Sequence, residues 1–499
     1  MKTPRCFTRS NPIRSHLRIA IAGGLFIAAG AMVGIGIFSQ VQPARTSVAK
    51  SALAPNLEFA PLIVLAPDDN QTPAAGPYAC VDPDGNPRST IFHCYTPADI
   101  YAAYGVDALH AEGTTGTGET IVIVDSYGSP TVQADLDRFS DTFGLPRTTV
   151  QIIYPNGTPT FNNSVNGSPV GWAEETSLDV QWAHAIAPDA HIVLVAANPA
   201  ETQGVQGFPG IFLGEQMAIN QFPGAVMSQS FAVTEQSFHS AAAVQVALLD
   251  GVYKQAKANH VTVLGSSGDS GTANADKQGR VYPFPTVNWP SSDPLVTSAG
   301  GTWLQYGWTW NPTSPTDPSY ITTPGSRTEA VWNEPFIQAA TGGGRSVLFP
   351  TPSFQSSISQ SLLQGSRGLP DLSWNAAVDG GVLVYTSFPG VRVGWHIIGG
   401  TSASSPQLTG LIALTNQLAD ASAKSHVGYL NPLLYNLPSS DFLDIVPQTF
   451  GPGAVTLDDN SNFGSGIAGM ATTTGFDLTT GFGSPKAYNF VHDLATALP

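Results

Sequence analysis

The strongest constraint on the fold is a regular alternation between about residues 120 and 271. Short apolar runs, "TIVIVDSYG", "HIVLVAA", "GAVMSQSFA" and "VTVLGSSGDSG", read as strands. Between them lie helical stretches: "VQADLDRFSDTFGL", "AEETSLDVQWAHAIA", which Pro188 stops, and "QVALLDGVYKQAKANH". Strands alternating with amphipathic helices predict an α/β domain with a mostly parallel sheet and helices on both faces. No internal repeat or low-complexity tract marks a separate module. One large domain over residues 90–499 is therefore expected, preceded by residues 45–89 as a linker or short pro-segment rich in Ala, Pro and turn signals.

The first 44 residues differ in kind. Lys2, Arg5, Arg9, Arg14 and Arg18 precede an uncharged apolar stretch from Ile19 to Phe38, followed by small residues up to Ala44. This is the pattern of an export signal, with retention as an N-terminal membrane anchor as the alternative because the apolar run is long enough to span a bilayer. Removing it takes away five cations and no acids, which carries the formal charge from −16 to −21. A chain this acidic, without a basic patch, has no electrostatic reason to bind nucleic acid or anionic membrane. With 11% charged residues it also escapes strong self-repulsion when its carboxylates protonate, which suits acidic surroundings. Cys6 lies in the export segment, leaving Cys80 and Cys94 as an even pair in an oxidising compartment. A disulfide between them is expected, with zinc binding beside His93 the weaker alternative.

Downstream, "GGTSASSP" at 399–406 follows two runs that read as a hairpin, "GGVLVYTSF" and "GVRVGWHII", and precedes a helical stretch. Pro406 is expected at the first helical position. Ser402 then lies on a strand-to-helix connection, near N–H groups able to stabilise an acyl oxyanion. A serine nucleophile needs a base. Asp125 ends its strand as the aspartate of a subtilisin does, but no His-Gly-Thr follows it. His184 is the best-placed histidine and lacks the glycine context, while His396 sits on a strand of unknown facing. In that interval stand Glu175 and Asp179, four apart on one helical face among Trp172, Leu178, Val180 and Trp182. A buried carboxylate pair shares a proton, and it can accept the serine proton in acid, where a histidine would already be charged. Asp269 in "GSSGDSG" ends a further strand. An acid there can donate to an oxyanion only while protonated.

Glu-x-x-x-Asp, Ser-Ser-Gly-Asp-Ser-Gly and Gly-Gly-Thr-Ser-Ala-Ser, in that order, resemble the sedolisin family of serine-carboxyl peptidases. "TPADIYAAYG", "GTGETIVIVDSYGSP" and "IAPDAHIVLV" extend the resemblance over about residues 95–490. It implies a subtilisin-like fold, a parallel seven-stranded sheet flanked by helices, and a secreted, monomeric endopeptidase acting on protein or peptide substrates in acid. It further implies Ser402 as nucleophile, Glu175 as general base and acid, Asp179 as its orienting partner and Asp269 as the oxyanion acid. One structural calcium ion is implied as well, held by the carboxylates of Asp444 and Asp477 and the carbonyls of Ile445, Thr473 and Gly475, with Thr473 standing where the family usually has glycine. The rival calcium loop "DDNSNFG" is rejected because Phe463 replaces the glycine, and Gly469 the final glutamate, of an EF-hand. The family also implies a long pro-domain, where this sequence offers only residues 45–89. Two other functions remain open: a neutral subtilisin-like peptidase using His184, and a catalytically silent relative that binds peptide or cell-wall material.

Overall fold

The computed structural model describes residues 60–61, 64–66, 79–90, 92–161, 168–197, 208–241, 250–276, 279–310, 320–450 and 455–499. The export segment and most of the stretch up to residue 78 lie outside the described residues. Among the described residues no helix is long and apolar enough to cross a membrane.

The central sheet is built from β1 (Thr120–Ser126), β2 (Gln151–Ile153), β3 (His191–Ala197), β4 (Val226–Gln229), β5 (Thr262–Ser266), β6 (Thr297–Trp310), β7 (Tyr320–Val331) and β8 (Leu372–Asn375). Its spatial order is β2-β3-β1-β4-β5-β6, with β8 and β7 both pairing with β6. Seven of the strands are mutually parallel, as expected, and β7 adds an antiparallel eighth that folds back along β6. Both faces are covered, so successive residues of each strand enter different cores. Ile121, Ile123, Ile192 and Leu194 join one cluster, and Val122, Val124, Val193 and Val195 the other.

The first cluster is completed by α1 (Val132–Phe143), α2 (Ser168–Ile186), α5 (Thr401–Ala421) and α6 (Ala487–Ala497), through Leu136, Phe139, Leu178, Trp182, Leu408, Leu411 and Phe490. The second is capped by α3 (Phe208–Gln221) and α4 (Gly251–Ala258), through Ile211, Phe212, Val252 and Tyr253. The expected hairpin before Ser402 is present as β9 (Gly381–Thr386) and β10 (Gly394–Gly399). Cys80 and Cys94 are joined, with Cα atoms 5.3 Å apart.

One expectation is corrected. α5 begins at Thr401, so Pro406 lies inside the helix rather than opening it. The apolar periodicity after residue 407 does not reveal that "TSASS" is already helical. Pro406 has no N–H to offer the carbonyl of Ser402, four residues earlier. The first turn of α5 is thus built without the bond that an N–H at position 406 would give.

Candidate active site

Open α/β sheets leave a crevice at the carboxyl ends of their parallel strands. Asp125 near the end of β1 and Asp269 three residues past β5 stand there, together with Ser230 just after β4, which the sequence did not single out. Ser402 reaches the same crevice as the second residue of α5, where the backbone N–H groups of the first turn lack helical acceptors. The turn into α5 requires Gly400 at φ 105°, a left-handed conformation open chiefly to glycine. Gly400 N–H donates to Ala376 O at 2.7 Å, and Ser266 Oγ donates to Thr401 O at 3.0 Å, strapping the turn to the sheet.

α2 is buried on every side rather than on one stripe, so its polar residues are forced inward. Trp182 Nε1 donates to Leu383 O at 3.0 Å, and Gln181 bonds both the N–H and the carbonyl of Tyr385, which fixes the rotation of the helix. A close approach to α5 follows from Gly410, where a Cβ would lie 2.6 Å from that of Ile186. Glu175 and Asp179 are thereby held beside Ser402, both fully buried. Neither carboxylate, nor Asp125, nor Ser402 Oγ has a hydrogen-bond partner at bonding geometry. They stand close enough to act on one another, and catalytic hydrogen bonds commonly close only when substrate arrives.

Burial raises the pKa of Glu175 well above the ordinary carboxylate range, and the charges of Asp179 and Asp125 raise it further, while the Ser402 hydroxyl draws it down. Asp179 is raised by burial and by Asp125, and lowered by the Ser230 hydroxyl. Asp125 is pushed up to about 7 by burial against a smaller opposing effect of Thr176. Three carboxylates in one dry site cannot all ionise, so the cluster holds protons. Sequence reasoning treated Asp125 only as a mimic of a subtilisin residue. Its position at the end of an all-apolar strand was the available signal, and only the fold shows that it faces Asp179.

Asp269 also acts on Glu175 and is nearly buried. Its Oδ1 accepts from Thr401 N at 2.8 Å and from Thr401 Oγ1 at 2.9 Å, while Thr401 Oγ1 accepts from Gly268 N at 3.0 Å. Two donors on Oδ1 place any carboxyl proton on Oδ2. The loop "DDNSNFG" braces this platform: Asn462 donates to Ser270 O, and Asn460 to Thr341 O. Their amides are thus engaged in holding loops together. His184 lies elsewhere, its Nε2 against Pro146 O at 2.9 Å, and burial lowers its pKa to about 4. His396 bonds Arg392 O on the hairpin.

Near the C-terminus, Asp477 and Asp444 converge on one loop. Asp477 Oδ2 accepts from Thr473 N and Asp444 Oδ2 from Gly475 N, both at 3.0 Å. Asp477 Oδ1 is held by the N–H and hydroxyl groups of Thr479 and Thr480. Two carboxylates oriented on the loop that carries the Thr473 and Gly475 carbonyls form an all-oxygen donor set that fits a hard cation. A separate cluster of Glu119, Asp420 and His426 forms at the other end of β1, and its mixed donors do not coincide with the expected calcium ligands.

The chain is 29% identical over 397 residues to kumamolisin of Bacillus sp. (strain MN-32), covering 78% of this chain and 62% of that protein. It is 30% identical over 380 residues to sedolisin of Pseudomonas sp. (strain 101), covering 74% of this chain and 57% of that one. The chain thus spans about three fifths of the length of these curated relatives. The solved structure of Pseudomonas sedolisin, a serine-carboxyl proteinase complexed with two molecules of pseudo-iodotyrostatin, is similar with a TM-score of 0.61 at 25% identity, over 81% of this chain and 99% of that chain. No protein-family model matches the chain.

Proposed function

Because the chain belongs to the sedolisin family, we propose that it is a secreted serine-carboxyl endopeptidase that hydrolyses peptide bonds of proteins at acidic pH. The observation that carries this reading is a buried serine at a helix start facing carboxylates whose surrounding charges, Asp179, Asp125 and Asp269, are all acidic. In the proposed cycle Ser402 Oγ attacks the peptide carbonyl and Glu175 takes its proton. Asp179 orients Glu175, and Asp125 supports Asp179. Negative charge on the carbonyl oxygen is met by the N–H groups of the α5 first turn and by the Asp269 Oδ2 proton. Glu175 then protonates the leaving amine, and water, activated by the same carboxylate, releases the acyl group from Ser402.

A base at His184 is disfavoured by its engagement with Pro146 O and its lowered pKa. The deciding experiment incubates the protein and its Ser402→Ala variant with an unfolded protein from about pH 3 to about pH 7 and sequences the fragments. Fragments from the wild type alone, strongest in acid, support the reading. Fragments from neither identify a silent peptide-binding relative, and activity confined to neutral pH removes the carboxylate mechanism.

The same reading includes one structural calcium ion on Asp444, Asp477 and the carbonyls of Ile445, Thr473 and Gly475. An ion bound only by the native state stabilises it by mass action, so a chelator should lower Tm. Asp444→Asn should abolish that response while sparing the many bonds of Asp477. Equal melting with and without chelator would dispose of the site.

A further inference from the structure

The groups proposed for catalysis stand at the carboxyl end of the sheet. At the opposite end a second set of ligand-type side chains converges from stretches far apart in sequence. Glu119 directly precedes β1, Asp420 lies in the last turn of α5, and His426 follows on the loop beyond that helix. One ligand atom from each lies within 4.8 Å of the others. His426 Nε2 stands 3.0 Å from Asp420 Oδ1 and 3.8 Å from Glu119 Oε2.

Two features set this group apart from an ordinary surface cluster. The first is that the Glu119 side chain is only 1% exposed and its Oε1 has no hydrogen-bond partner at bonding geometry. Asn416, whose amide also acts on Glu119, is engaged with Gly224 O at 3.3 Å and with Val427 N–H at 2.9 Å. Lys424, the one cation between Asp420 and His426 in sequence, donates to Ala495 O and Thr496 O. A buried carboxylate oxygen without a donor is destabilising until a cation completes it. The second feature is the orientation of the imidazole. Nδ1 lies 2.9 Å from Gly224 O, so the neutral ring keeps its proton there and turns the Nε2 lone pair toward both carboxylates. A ring nitrogen fixed by a backbone carbonyl, with the other nitrogen free for an ion, is how a ligating histidine is held. Gly224 makes the approach possible, since a Cβ there would lie 2.6 Å from Nδ1.

We propose that Glu119, Asp420 and His426 bind one zinc-type divalent cation, at a site separate from the calcium ligands above. One imidazole with two carboxylates suits zinc, whereas calcium takes oxygen donors alone. Tetrahedral bonds of about 2.0–2.2 Å set donor atoms roughly 3.3–3.5 Å apart. The donors already stand near that spacing and need to shift by only about half an ångström. The Asp420 side chain is 59% exposed and that of His426 24%, which gives the ion a path from solvent and leaves its fourth position to water. The ion ties the start of β1 to the end of α5, about 27 Å along that helix from Ser402 at 1.5 Å per residue, so its role is structural. The site does not rest on the peptidase reading.

The test titrates the metal-stripped full chain with Zn2+ at about pH 7.5, where a free imidazole is neutral, in excess Ca2+ to fill any all-oxygen site. Equilibrium dialysis with elemental analysis should find one bound Zn2+ per chain, and Tm should climb as it binds. Asp420→Asn and His426→Gln should each weaken binding by roughly tenfold or more and lose most of the Tm rise. Asp420 is exposed, so its variant keeps the fold. Co2+ in place of Zn2+ should give the visible absorption of a four-coordinate ion in the wild type and not in Asp420→Asn. His492→Gln, which removes an unrelated surface histidine paired with Glu112 Oε1 at 2.7 Å, should bind as the wild type does. No bound Zn2+ in the wild type makes the three groups an ion pair only and overturns the site. Binding undiminished in both Asp420→Asn and His426→Gln puts the metal elsewhere and overturns it too. Neither result bears on the peptidase reading, which Ser402→Ala tests separately.

Discussion

Glu175 and Glu329 are both buried glutamates, yet they are driven in opposite directions. Burial pushes each pKa up. At Glu329 the Arg327 guanidinium, with hydrogen bonds from Ser484, Tyr104 and Thr302, outweighs that effect and leaves the pKa below its ordinary value. At Glu175 the neighbouring charges are carboxylates, so they add to burial. The difference teaches what separates a strut from a tool. A buried carboxylate with a cation and a full set of donors is fixed in one charge state, whereas one surrounded by other acids can exchange a proton whenever the site changes. A satisfied network rigidifies; an unsatisfied one is kept reactive at a cost in stability.

The widest separation should come from the same neutral substitution made at both glutamates. Glu175→Gln should lower turnover by roughly four orders of magnitude, since members of a catalytic set act as a unit. It should leave Tm equal or higher, because a proton-holding carboxyl is replaced by a neutral amide of the same shape. Glu329→Gln should leave turnover per folded molecule unchanged but cost about 3–5 kcal/mol of stability, the usual loss when one partner of a buried pair is removed. Denaturant melts beside kinetics decide this, and equal behaviour of the two variants would break the comparison.

Asp269 gives the next effect. Asp269→Ala should lose on the order of a hundredfold or more in turnover, the size of one oxyanion donor. Asp269→Asn should retain more of its own maximum at higher pH than the wild type does, since an amide donates without a titratable proton. Wild-type rates and an unchanged pH profile in both variants would make Asp269 a turn residue.

A smaller effect concerns stability against pH. Asp125, pushed up to about 7, and Glu215, pushed up to about 8, both mainly by burial, keep a proton in the fold that the unfolded chain gives up near the ordinary carboxylate range. The native state therefore binds more protons between about pH 4 and about pH 8, and stability falls with rising pH across that window. It is fully present below the unfolded pKa and lost as pH rises through the folded value. Tm should be lower at neutral pH than at about pH 4 by roughly 5 °C or more. A higher Tm at neutral pH would mean that paired acids such as Glu329, whose contribution is lost as pH falls, dominate instead. The smallest effect belongs to His184→Gln, which should change turnover by less than about twofold, as expected for a group outside the chemistry.

Much of this molecule was legible in residue order. The alternation of apolar runs and helices carried the parallel sheet, because burial of both faces demands continuous apolar strands such as "TIVIVDS" and "HIVLVAA". The i,i+4 spacing of Glu175 and Asp179 placed them on one helical face, and the glycines before Ser402 announced a turn only they could make. Local periodicity could not locate the start of α5, because "TSASS" has no apolar stripe: every one of its residues is buried. Nor could it show that Asp125 faces Asp179, that Thr401 clamps Asp269, or that residues 60–61 and 64–65 lie along the edges of strands far away in sequence. Those facts depend on which strand ends share a crevice and which backbone edges are left to pair, and such long-range neighbours are fixed only when the chain has packed. Sequence determined which groups are available and on which local faces they stand; tertiary structure decided which of them share a dry, low-dielectric site, and that sharing is what moves their protons.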